Sequence, residues 1–212
     1  MYKKHNQGKL RYLEYFPDGF DAHRKYPLMV FLHGAGERGD DLDTVRKIGP
    51  LAEIDRGRKL PYVIFAPQCP FGRTWFDYGE TLYRLTQKMI DRPFIDATRV
   101  YIVGISMGGI GTWEFSLSHP ELFAAVLPCC GFGQPWNAAR LKDVPVWAFH
   151  GARDTDVNPI GSIDMVAAIN RAGGHAKLSV YDDRAHDVWT PVFADQAVYD
   201  WLSAQQKPTD RT

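Results

Sequence analysis

The sequence contains few cysteines, only three in 212 residues. Two of them, Cys129 and Cys130, are adjacent, and consecutive Cα atoms lie about 3.8 Å apart, less than the roughly 4.4–6.8 Å of ordinary disulfides. We therefore expect no disulfide framework. Both cysteines end an apolar segment, residues 123–127, which favours small buried side chains near a strand end over a redox role.

The sequence also lacks an excess of charge of either sign. Lys plus Arg and Asp plus Glu each number 25, and no run of like charge occurs. Binding to nucleic acid or to an anionic membrane would call for clustered positive charge. We therefore expect no nucleic-acid and no membrane partner, but a small-molecule substrate bound by a monomer or a homodimer.

Long hydrophobic runs are absent as well. The longest strongly apolar run extends from Leu28 to Leu32, whereas a membrane-spanning helix needs about 20 such residues. Residues 1–8 carry positive charge without the apolar stretch of a signal peptide behind it. We expect a soluble, cytoplasmic protein, or a secreted or periplasmic one if an export signal has been removed.

Seven segments have the apolar, β-branched character of strands. They are residues 10–16, 27–32, 62–67, 100–105, 124–127, 145–151 and 176–181. Helical patterns lie between most of them, which is typical of an α/β fold with a mostly parallel sheet of about seven strands and helices on both faces. Residues 10–16 precede the turn Pro17-Asp18-Gly19 and are predicted to form an antiparallel edge strand. The length and the hydrophobic content, 45%, predict one domain spanning residues 1–212.

Helices are predicted where apolar residues recur at helical spacing. These positions are Leu82, Leu85, Met89 and Ile90; Ile110, Trp113 and Leu117; Ile160, Ile163, Val166 and Ala167; and Ala194, Ala197, Val198, Trp201 and Leu202. Between residues 40 and 57 the helical pattern is irregular, and Gly49-Pro50 is expected to break or kink it.

The stretch from Val100 to Gly109 contains the most specific signal for chemistry. A β-branched run leads into Gly104-Ile105-Ser106-Met107-Gly108, and an amphipathic segment follows. A serine at such a strand-to-helix turn presents its hydroxyl above the edge of the sheet. This context favours Ser106 as a nucleophile over a chance Gly-x-Ser-x-Gly in a glycine-rich loop.

A serine nucleophile needs a base, and the base needs a carboxylate that fixes its tautomer. His186 lies in the turn after the last predicted strand, and Asp154 lies just past the strand that ends at Gly151. The carboxyl ends of parallel strands open on one edge of the sheet, so both residues can converge on Ser106.

The other histidines fit the role of base less well. His119 lies at the far end of the helix after Ser106, His150 belongs to its strand, and His175 precedes the last strand. For the acid, Asp156 is the closest alternative to Asp154, and Asp187 is a weaker one. Asp154 alternatively has a structural role, accepting hydrogen bonds from the amides of its own turn.

The glycine-rich loop His33-Gly34-Ala35-Gly36 follows the buried strand 27–32. Glycines at this place let the backbone approach a substrate, and we predict an oxyanion hole made by the N–H groups of Ala35 and Met107. For His33 a structural role, holding the loop by hydrogen bonds, is favoured over catalysis. Glu37 and Arg38 either form a local ion pair or contact the substrate.

Four aromatic residues in loops near the predicted site are candidate walls of a substrate pocket. They are Trp75, Phe76, Trp136 and Trp189. Aromatic side chains also pack beneath long loops without touching a ligand, and for Trp75 and Phe76 this structural role is an equal alternative.

The chain resembles the α/β-hydrolases. It is most similar to the compact esterases grouped with carboxylesterase/phospholipase, dienelactone-hydrolase-like and feruloyl-esterase-like proteins, which are often placed in the prolyl oligopeptidase family. The matching segments are residues 32–36, 104–109, 150–154 and 185–189. One departure is Ser106, because dienelactone hydrolase itself has a cysteine nucleophile, and no insertion is long enough for a large lid.

The resemblance implies a catalytic triad of Ser106, Asp154 and His186 with an oxyanion hole at Ala35 and Met107, and no metal or cofactor. The resulting hypothesis is a serine esterase for short acyl or aryl esters, and family similarity alone suggests esters linked to carbohydrate. The alternatives are a serine peptidase or amidase and a non-catalytic binding domain of the same fold.

Overall fold

A computed structural model describes residues 1–208, which contain one sheet of eight strands. The strands are β1 Tyr2–His5, β2 Arg11–Tyr15, β3 Tyr26–Leu32, β4 Val63–Gln68, β5 Ile95–Ile105, β6 Ala125–Cys129, β7 Trp147–Gly151 and β8 Lys177–Tyr181. Their spatial order is β1-β2-β4-β3-β5-β6-β7-β8. Strands β3 to β8 pair in parallel, whereas β1 and β2 are antiparallel to their neighbours. The predicted α/β class with a mostly parallel sheet is confirmed.

The sheet has one strand more than predicted, because β1 was not recognised in the sequence. Lys3 and Lys4 are exposed, Tyr2 and His5 are partly buried, and the four residues show no apolar alternation. β1 is held by backbone pairing with β2, in which Tyr2 lies opposite Tyr15. The predicted strand at residues 10–16 is therefore antiparallel, as expected, but the expectation that it forms the edge of the sheet is wrong.

Within residues 1–208, six α-helices flank the sheet. They are α1 Gly49–Asp55, α2 Gly79–Ile90, α3 Met107–Ser118, α4 Ile160–Arg171, α5 Trp189–Ala194 and α6 Gln196–Ser203. Helices α2, α3 and α4 pack on one face, and α1, α5 and α6 pack on the other. As predicted, the helical pattern breaks before Gly49-Pro50, where α1 begins after a 3₁₀ helix at Leu42–Lys47. Within residues 1–208 no helix is long and apolar enough to cross a membrane.

Strand β3 lies at the centre of the core. All seven of its residues are buried, because the layers of helices cover both faces of the sheet. Leu28, Val30 and Leu32 face one core, and Met29 and Phe31 face the other. A strand covered on both faces needs apolar residues at every position rather than at alternate ones, which explains the continuous apolar run in the sequence.

Helix α4 forms where predicted, but only some of the apolar residues that predicted it are buried. Ile160 and Ile163 are 51% and 41% exposed, whereas Met165 and Ile169 are fully buried. Ser162 lies on the buried face, where its hydroxyl is hydrogen-bonded within the protein. Of the apolar positions that predicted the helix, Val166 is buried. The periodicity therefore located the helix, although a buried serine interrupts the apolar stripe on its packed face.

The topology brings separate chain segments to one edge of the sheet. Segments 33–38, 106–107, 152–158 and 182–188 follow the carboxyl ends of β3, β5, β7 and β8. These four strands are parallel, so their carboxyl ends point in the same direction. The sheet thus places all the predicted catalytic residues on the same side of the molecule.

Replacement of Thr86 by Val tests one feature of the core. Thr86 on α2 is fully buried, and its hydroxyl has no hydrogen-bond partner within residues 1–208. A methyl group of similar shape removes the cost of the unpaired hydroxyl, so Thr86→Val should stabilise the protein by about 1 kcal/mol. Urea unfolding measures the change. Thr81→Val, at a partly exposed site on the same helix, should have a smaller effect; equal effects would contradict the interpretation.

Candidate active site

Ser106 lies at a strained turn between β5 and α3. Its backbone angles are φ 55° and ψ −118°, an unusual conformation for a residue with a side chain. Hydrogen bonds on both sides hold it there: its N–H donates to the carbonyl of Cys129, and its own carbonyl accepts the N–H of Ile110, each at 2.9 Å. The turn projects the hydroxyl away from the core at the N-terminus of α3.

Two glycines allow the close packing around this turn. A Cβ at Gly104 would lie 2.2 Å from the carbonyl oxygen of Gly108, and a Cβ at Gly108 would lie 1.9 Å from the carbonyl oxygen of Leu32. In both cases the obstacle is backbone, which cannot move aside as a flexible side chain can. Glycine at these positions therefore brings β3, β5 and α3 into direct contact beneath Ser106.

The structure brings Ser106, His186 and Asp154 into one chain of hydrogen bonds. Oγ of Ser106 lies 2.8 Å from Nε2 of His186, and Nδ1 of His186 lies 2.7 Å from Oδ2 of Asp154. Because the carboxylate accepts, Nδ1 carries the proton, and Nε2 is left to accept the serine hydroxyl. His186 is thus placed to act as the base for Ser106, and Asp154 accepts the hydrogen bond from the other nitrogen of the same ring.

Asp154 also accepts hydrogen bonds from its own turn. Its Oδ1 accepts the N–H groups of Asp156 and Val157, each at 2.9 Å. The two roles considered for Asp154 in the sequence thus coexist. Burial raises the pKa of the carboxyl, but the hydrogen bonds from His186 and from these amides lower it more, so its pKa lies below the ordinary value. Asp154 is thereby ionised at neutral pH.

The alternative acids occupy other positions. The Asp156 side chain is exposed, although a carboxylate oxygen lies within 4.8 Å of ligand atoms of Asp154 and His186. Asp187 accepts the N–H and the hydroxyl of Thr190 at the start of α5, at 3.1 and 2.9 Å. Of the three, Asp154 is the residue hydrogen-bonded to the His186 ring in this structure.

Two neighbouring side chains, Cys130 and Trp189, contact the residue His186. The thiol of Cys130 donates to the His186 carbonyl at 3.0 Å. The Trp189 ring stands at 87° to the imidazole, with ring centroids 5.1 Å apart. Cys130 is a free, buried cysteine, and burial raises the pKa of its thiol to about 12, so it is present as a neutral donor.

The loop predicted to supply an oxyanion donor lies against the nucleophile. A Cβ placed on Gly34 would lie 3.7 Å from Cβ of Ser106. Ala35 begins a short 3₁₀ helix after Gly34, and Met107 is the first residue of α3. The first N–H groups of a helix have no acceptor within the helix, which leaves these two amides suited to bind a developing negative charge. Their catalytic use stays a prediction.

His33 holds this loop, in agreement with the structural role favoured in the sequence. The side chain is fully buried. Its Nδ1–H donates to the Gly34 carbonyl at 2.6 Å, and its Nε2 accepts the N–H of Cys69 at 2.9 Å. Burial lowers the pKa of His33 to about 4, so the ring is neutral. It connects the loop after β3 to the segment after β4.

Glu37 and Arg38 are both partly buried, but they bond to different groups. Arg38 donates to the backbone carbonyls of Ala35 and Arg73, at 2.9 and 3.3 Å. Oε2 of Glu37 is buried, has no hydrogen-bond partner within residues 1–208 and lies 3.2 Å from the Cβ position of Gly34. Burial raises the pKa of Glu37 above its ordinary value. Arg38 therefore shapes the loop, and Glu37 is a second carboxyl close to Ser106.

The four candidate pocket aromatics occupy different environments. Trp189 contacts His186, as described above. Trp75 is only 3% exposed, and its Nε1 donates to the His33 carbonyl at 3.1 Å. Together with the exposed Phe76 it lines a cleft of about 110 Å³ beside α3; within the described residues, Ser106 is not part of that lining. Trp136 is 79% exposed. A role in substrate binding stays a prediction for all four.

Sequence reasoning set aside one histidine that the structure places at the site. His150, near the end of β7, is fully buried, and its Nε2 lies 3.2 Å from Oδ2 of Asp154. The sequence contains a signal for it, since His150 lies at the end of a buried strand and Asp154 in the turn directly after it. Sequence reasoning set His150 aside because it belongs to the strand.

Two groups of side chains have the spacing of metal ligands among residues 1–208. They are Cys130, His150 and Asp154, and Asp154, Asp156 and His186. Both depend on Asp154, and the imidazole nitrogens of both histidines already have hydrogen-bond partners in the protein. These hydrogen bonds explain the clustering without a metal ion.

Known proteins provide an independent comparison. A solved structure described as a thermostable esterase superposes with a TM-score of 0.86 and 31% sequence identity, over 98% of this chain and 63% of that one. The chain thus has the fold of the α/β-hydrolases. Residues 80–135 match the model of the prolyl oligopeptidase family.

Two relatives are named as a depolymerase and as an acetylxylan esterase/xylanase. Poly(3-hydroxyalkanoate) depolymerase C of Paucimonas lemoignei is 26% identical over 141 residues, 59% of this chain and 32% of the relative. The bifunctional acetylxylan esterase/xylanase XynS20E of Neocallimastix patriciarum is 27% identical over 137 residues, 62% of this chain and 20% of the relative. The chain thus spans a third or less of the length of these two proteins.

Glu37→Gln tests whether the carboxyl beside Ser106 is buried at a cost. Because the pKa of Glu37 is raised in the folded state, its ionisation opposes folding, and stability is lost as pH rises through that pKa. Gln carries no such cost. The melting temperature of Glu37→Gln should therefore match that of the wild type near about pH 4 and exceed it near about pH 8.

Calorimetry across this pH range measures the difference. Glu80→Gln, whose side chain is 82% exposed, is the matched control and should show little change at any pH. A difference between Glu37→Gln and wild type that stays constant with pH would contradict the interpretation.

Proposed function

We propose that this protein is a serine hydrolase that cleaves carboxylic esters through an acyl-enzyme. The observation that carries the proposal is the unbroken chain of hydrogen bonds from Oγ of Ser106 through both nitrogens of His186 to Asp154. A serine becomes an effective nucleophile when a base removes its hydroxyl proton and a carboxylate stabilises the resulting imidazolium. The imidazole of His186 and the ionised carboxylate of Asp154 are placed for these two roles.

In the first step Oγ of Ser106 attacks the carbonyl carbon of the ester, and its proton passes to Nε2 of His186. The carbonyl oxygen gains the negative charge, which the N–H groups of Ala35 and Met107 would stabilise. His186 then gives its proton to the departing alkoxide, the bond to the alcohol breaks, and the acyl group stays on Ser106. Asp154 stabilises the imidazolium throughout.

In the second step water takes the place of the alcohol. Nε2 of His186 removes a proton from water as the oxygen attacks the acyl carbon, and the same proton returns to Oγ of Ser106 when the acid leaves. The sequence of bonds formed and broken restores the resting enzyme. One oxyanion donor contributes about 3–4 kcal/mol to the transition state in other serine hydrolases.

The names of the similar proteins support an ester as the substrate. The names of the thermostable esterase, the depolymerase and the acetylxylan esterase/xylanase describe proteins that hydrolyse esters or degrade polymers. The aromatic contact between Trp189 and His186 favours short acyl or aryl groups at the reacting carbon. By similarity to the acetylxylan esterase, esters attached to carbohydrate are the natural class to examine first.

Peptide or amide hydrolysis is the second candidate function. The match of residues 80–135 to the prolyl oligopeptidase family favours it, since the same three side chains can attack an amide. An amine is a poorer leaving group than an alkoxide or a phenolate and depends more on protonation by His186. The ratio of ester to amide rates on one acyl group therefore separates the two functions.

The nucleophile is tested with p-nitrophenyl esters of increasing acyl length and the p-nitroanilides of the same acids. We expect the wild type to favour short esters over the matching anilides. Ser106→Ala should lower kcat by at least about 10⁴-fold, because no other group takes up the acyl chain. Covalent labelling by a fluorophosphonate probe should disappear in the same variant. Undiminished turnover by Ser106→Ala would overturn the proposal.

The acid is tested by two matched substitutions. Asp154→Asn should lower kcat by about 10⁴-fold, because the amide donates to Nδ1 and holds the ring in the wrong tautomer. Asp156→Asn removes the neighbouring exposed carboxylate and should leave kcat within about threefold of wild type, as surface charges away from the base have small effects. Steady-state kinetics on one ester measures both. Loss of activity in Asp156→Asn alone would reassign the acid.

A further inference from the structure

His150 has an unusual set of neighbours for a buried strand residue. Its Nδ1 lies 2.8 Å from the hydroxyl of Ser162, and its Nε2 lies 2.9 Å from the carbonyl of Val157 and 3.2 Å from Oδ2 of Asp154. The side chains of His150 and Asp154 are both fully buried. Both ring nitrogens therefore contact protein atoms and are shielded from water.

The position of the proton on Nε2 follows from these neighbours. A carbonyl oxygen and an ionised carboxylate oxygen only accept hydrogen bonds, and both face Nε2 of His150. An unprotonated Nε2 would direct its lone pair at two acceptors in a buried place. Nε2 therefore carries a proton: its N–H donates to the Val157 carbonyl and lies beside Oδ2 of Asp154.

The other nitrogen of the His150 ring, Nδ1, contacts Ser162 on helix α4. Because Nδ1 is then unprotonated, it accepts the single proton of the Ser162 hydroxyl, whose oxygen also lies 2.9 Å from the carbonyl oxygen of Gly131. Gly131 in turn packs on the first turn of α3, since a Cβ on it would lie 2.5 Å from the carbonyl carbon of Gly109. His150 thus links the turn that carries Asp154, through Ser162 on α4, to the segment beside the nucleophile.

We propose that His150 is a positioning residue for the hydrolysis proposed above: its Nε2–H fixes Oδ2 of Asp154 for the hydrogen bond to His186 and shares the negative charge of that carboxylate. Oδ2 accepts from His186 and lies 3.2 Å from Nε2 of His150, while Oδ1 accepts from two backbone amides. A carboxylate held by three hydrogen bonds and this fourth contact cannot rotate without losing several of them. Because the negative charge of Asp154 also interacts with His150, its interaction with His186 is weaker than it would otherwise be.

The titratable groups around this pair are few. Cys130, Asp154, Asp156 and His186 are those that the structure places nearest to it, within the described residues. Cys130 is a neutral thiol, as described above, and Asp156 is exposed. Burial lowers the pKa of His150 itself, so a neutral ring with the proton on Nε2 is the form that faces Asp154 at neutral pH.

Two substitutions at His150 separate the donor from the rest of the side chain. In His150→Gln the amide nitrogen reaches the former position of Nε2 and can still donate to Asp154. In His150→Asn the shorter amide reaches only the former position of Nδ1, beside Ser162. Ser162→Ala is the matched control, because it removes the partner of Nδ1 and leaves the contact between Nε2 and Asp154 in place.

We expect His150→Asn to lower kcat on a p-nitrophenyl ester by about 10–100-fold with little change in KM, since the residue acts through Asp154. The carboxylate, freed of one donor, should act more strongly on His186 and move the midpoint of the acidic limb of the kcat–pH profile upward by about 0.5–1 pH unit. His150→Gln should restore both kcat and the midpoint, and Ser162→Ala should leave the midpoint unchanged.

A purely structural role predicts a different pattern. His150→Asn would then lose activity with an unchanged or lower midpoint, or His150→Gln would fail to restore it, and either result overturns the proposal. Melting temperatures identify variants that do not fold.

A measurement on the wild type keeps the test independent of folding and of turnover. In protein labelled with ¹⁵N-histidine, the ring of His150, assigned by its proximity to Val157 and Ser162, should carry a proton on Nε2 at neutral pH. An unprotonated Nε2 overturns the proposal. If the wild type hydrolyses no ester and Ser106 takes no probe, the proposed function fails, whereas the NMR result still decides whether His150 donates to Asp154.

Discussion

The close contact of backbone with backbone beneath Ser106 is the constraint on which the site depends. The carbonyl of Leu32 occupies the place where a side chain at residue 108 would be, and the Ser106 amide is bonded to Cys129 on the neighbouring strand. The ends of β3, β5 and β6 and the start of α3 are therefore fixed relative to one another by atoms with little freedom. The strained conformation of Ser106 persists because this packing leaves it no relaxed alternative.

Hydrogen bonds, rather than close backbone packing, hold the acid Asp154 in place. Asp154 lies in a turn rather than in a strand or helix, and its position is set by the hydrogen bonds that converge on its carboxylate. Two backbone amides fix one oxygen, and the ring of His186 reaches the other. Packing orders the nucleophile, whereas satisfied polar contacts order the acid and, through it, the base. A buried carboxylate needs such contacts in any case, because leaving it unpaired is costly.

Much of the fold could be predicted from the sequence because a parallel sheet covered on both faces requires continuous apolar strands. Residues 27–32 and 100–105 show this signal, and their places in the sheet follow from it. β1 has no such signal, since its polar residues pair with β2 and bond to side chains distant in sequence, as Lys4 does to Asp43. For α4, the buried Ser162 leaves the packed face without a continuous apolar stripe.

The candidate site was predictable where local pattern and topology act together, as at Ser106 and in the turns that carry Asp154 and His186. The structure brings these residues together, and their catalytic roles stay predictions. The contact of His150 with Asp154 depends on how a turn folds back over its own strand, which spacing alone does not show. The packing of Trp75 beneath the loop after β3 is a tertiary contact of the same kind.

The place of β8 in the sheet has a consequence for how the protein would lose function on heating. β8 is the last strand in the spatial order, pairs with β7 alone and is only partly covered, yet the segment that follows it carries His186. Edge elements with few buried contacts open at lower free energy than the centre of a domain. Fraying there would separate the imidazole from Ser106 while β3 and β5 are still intact, so thermal inactivation would precede global melting and reverse on cooling.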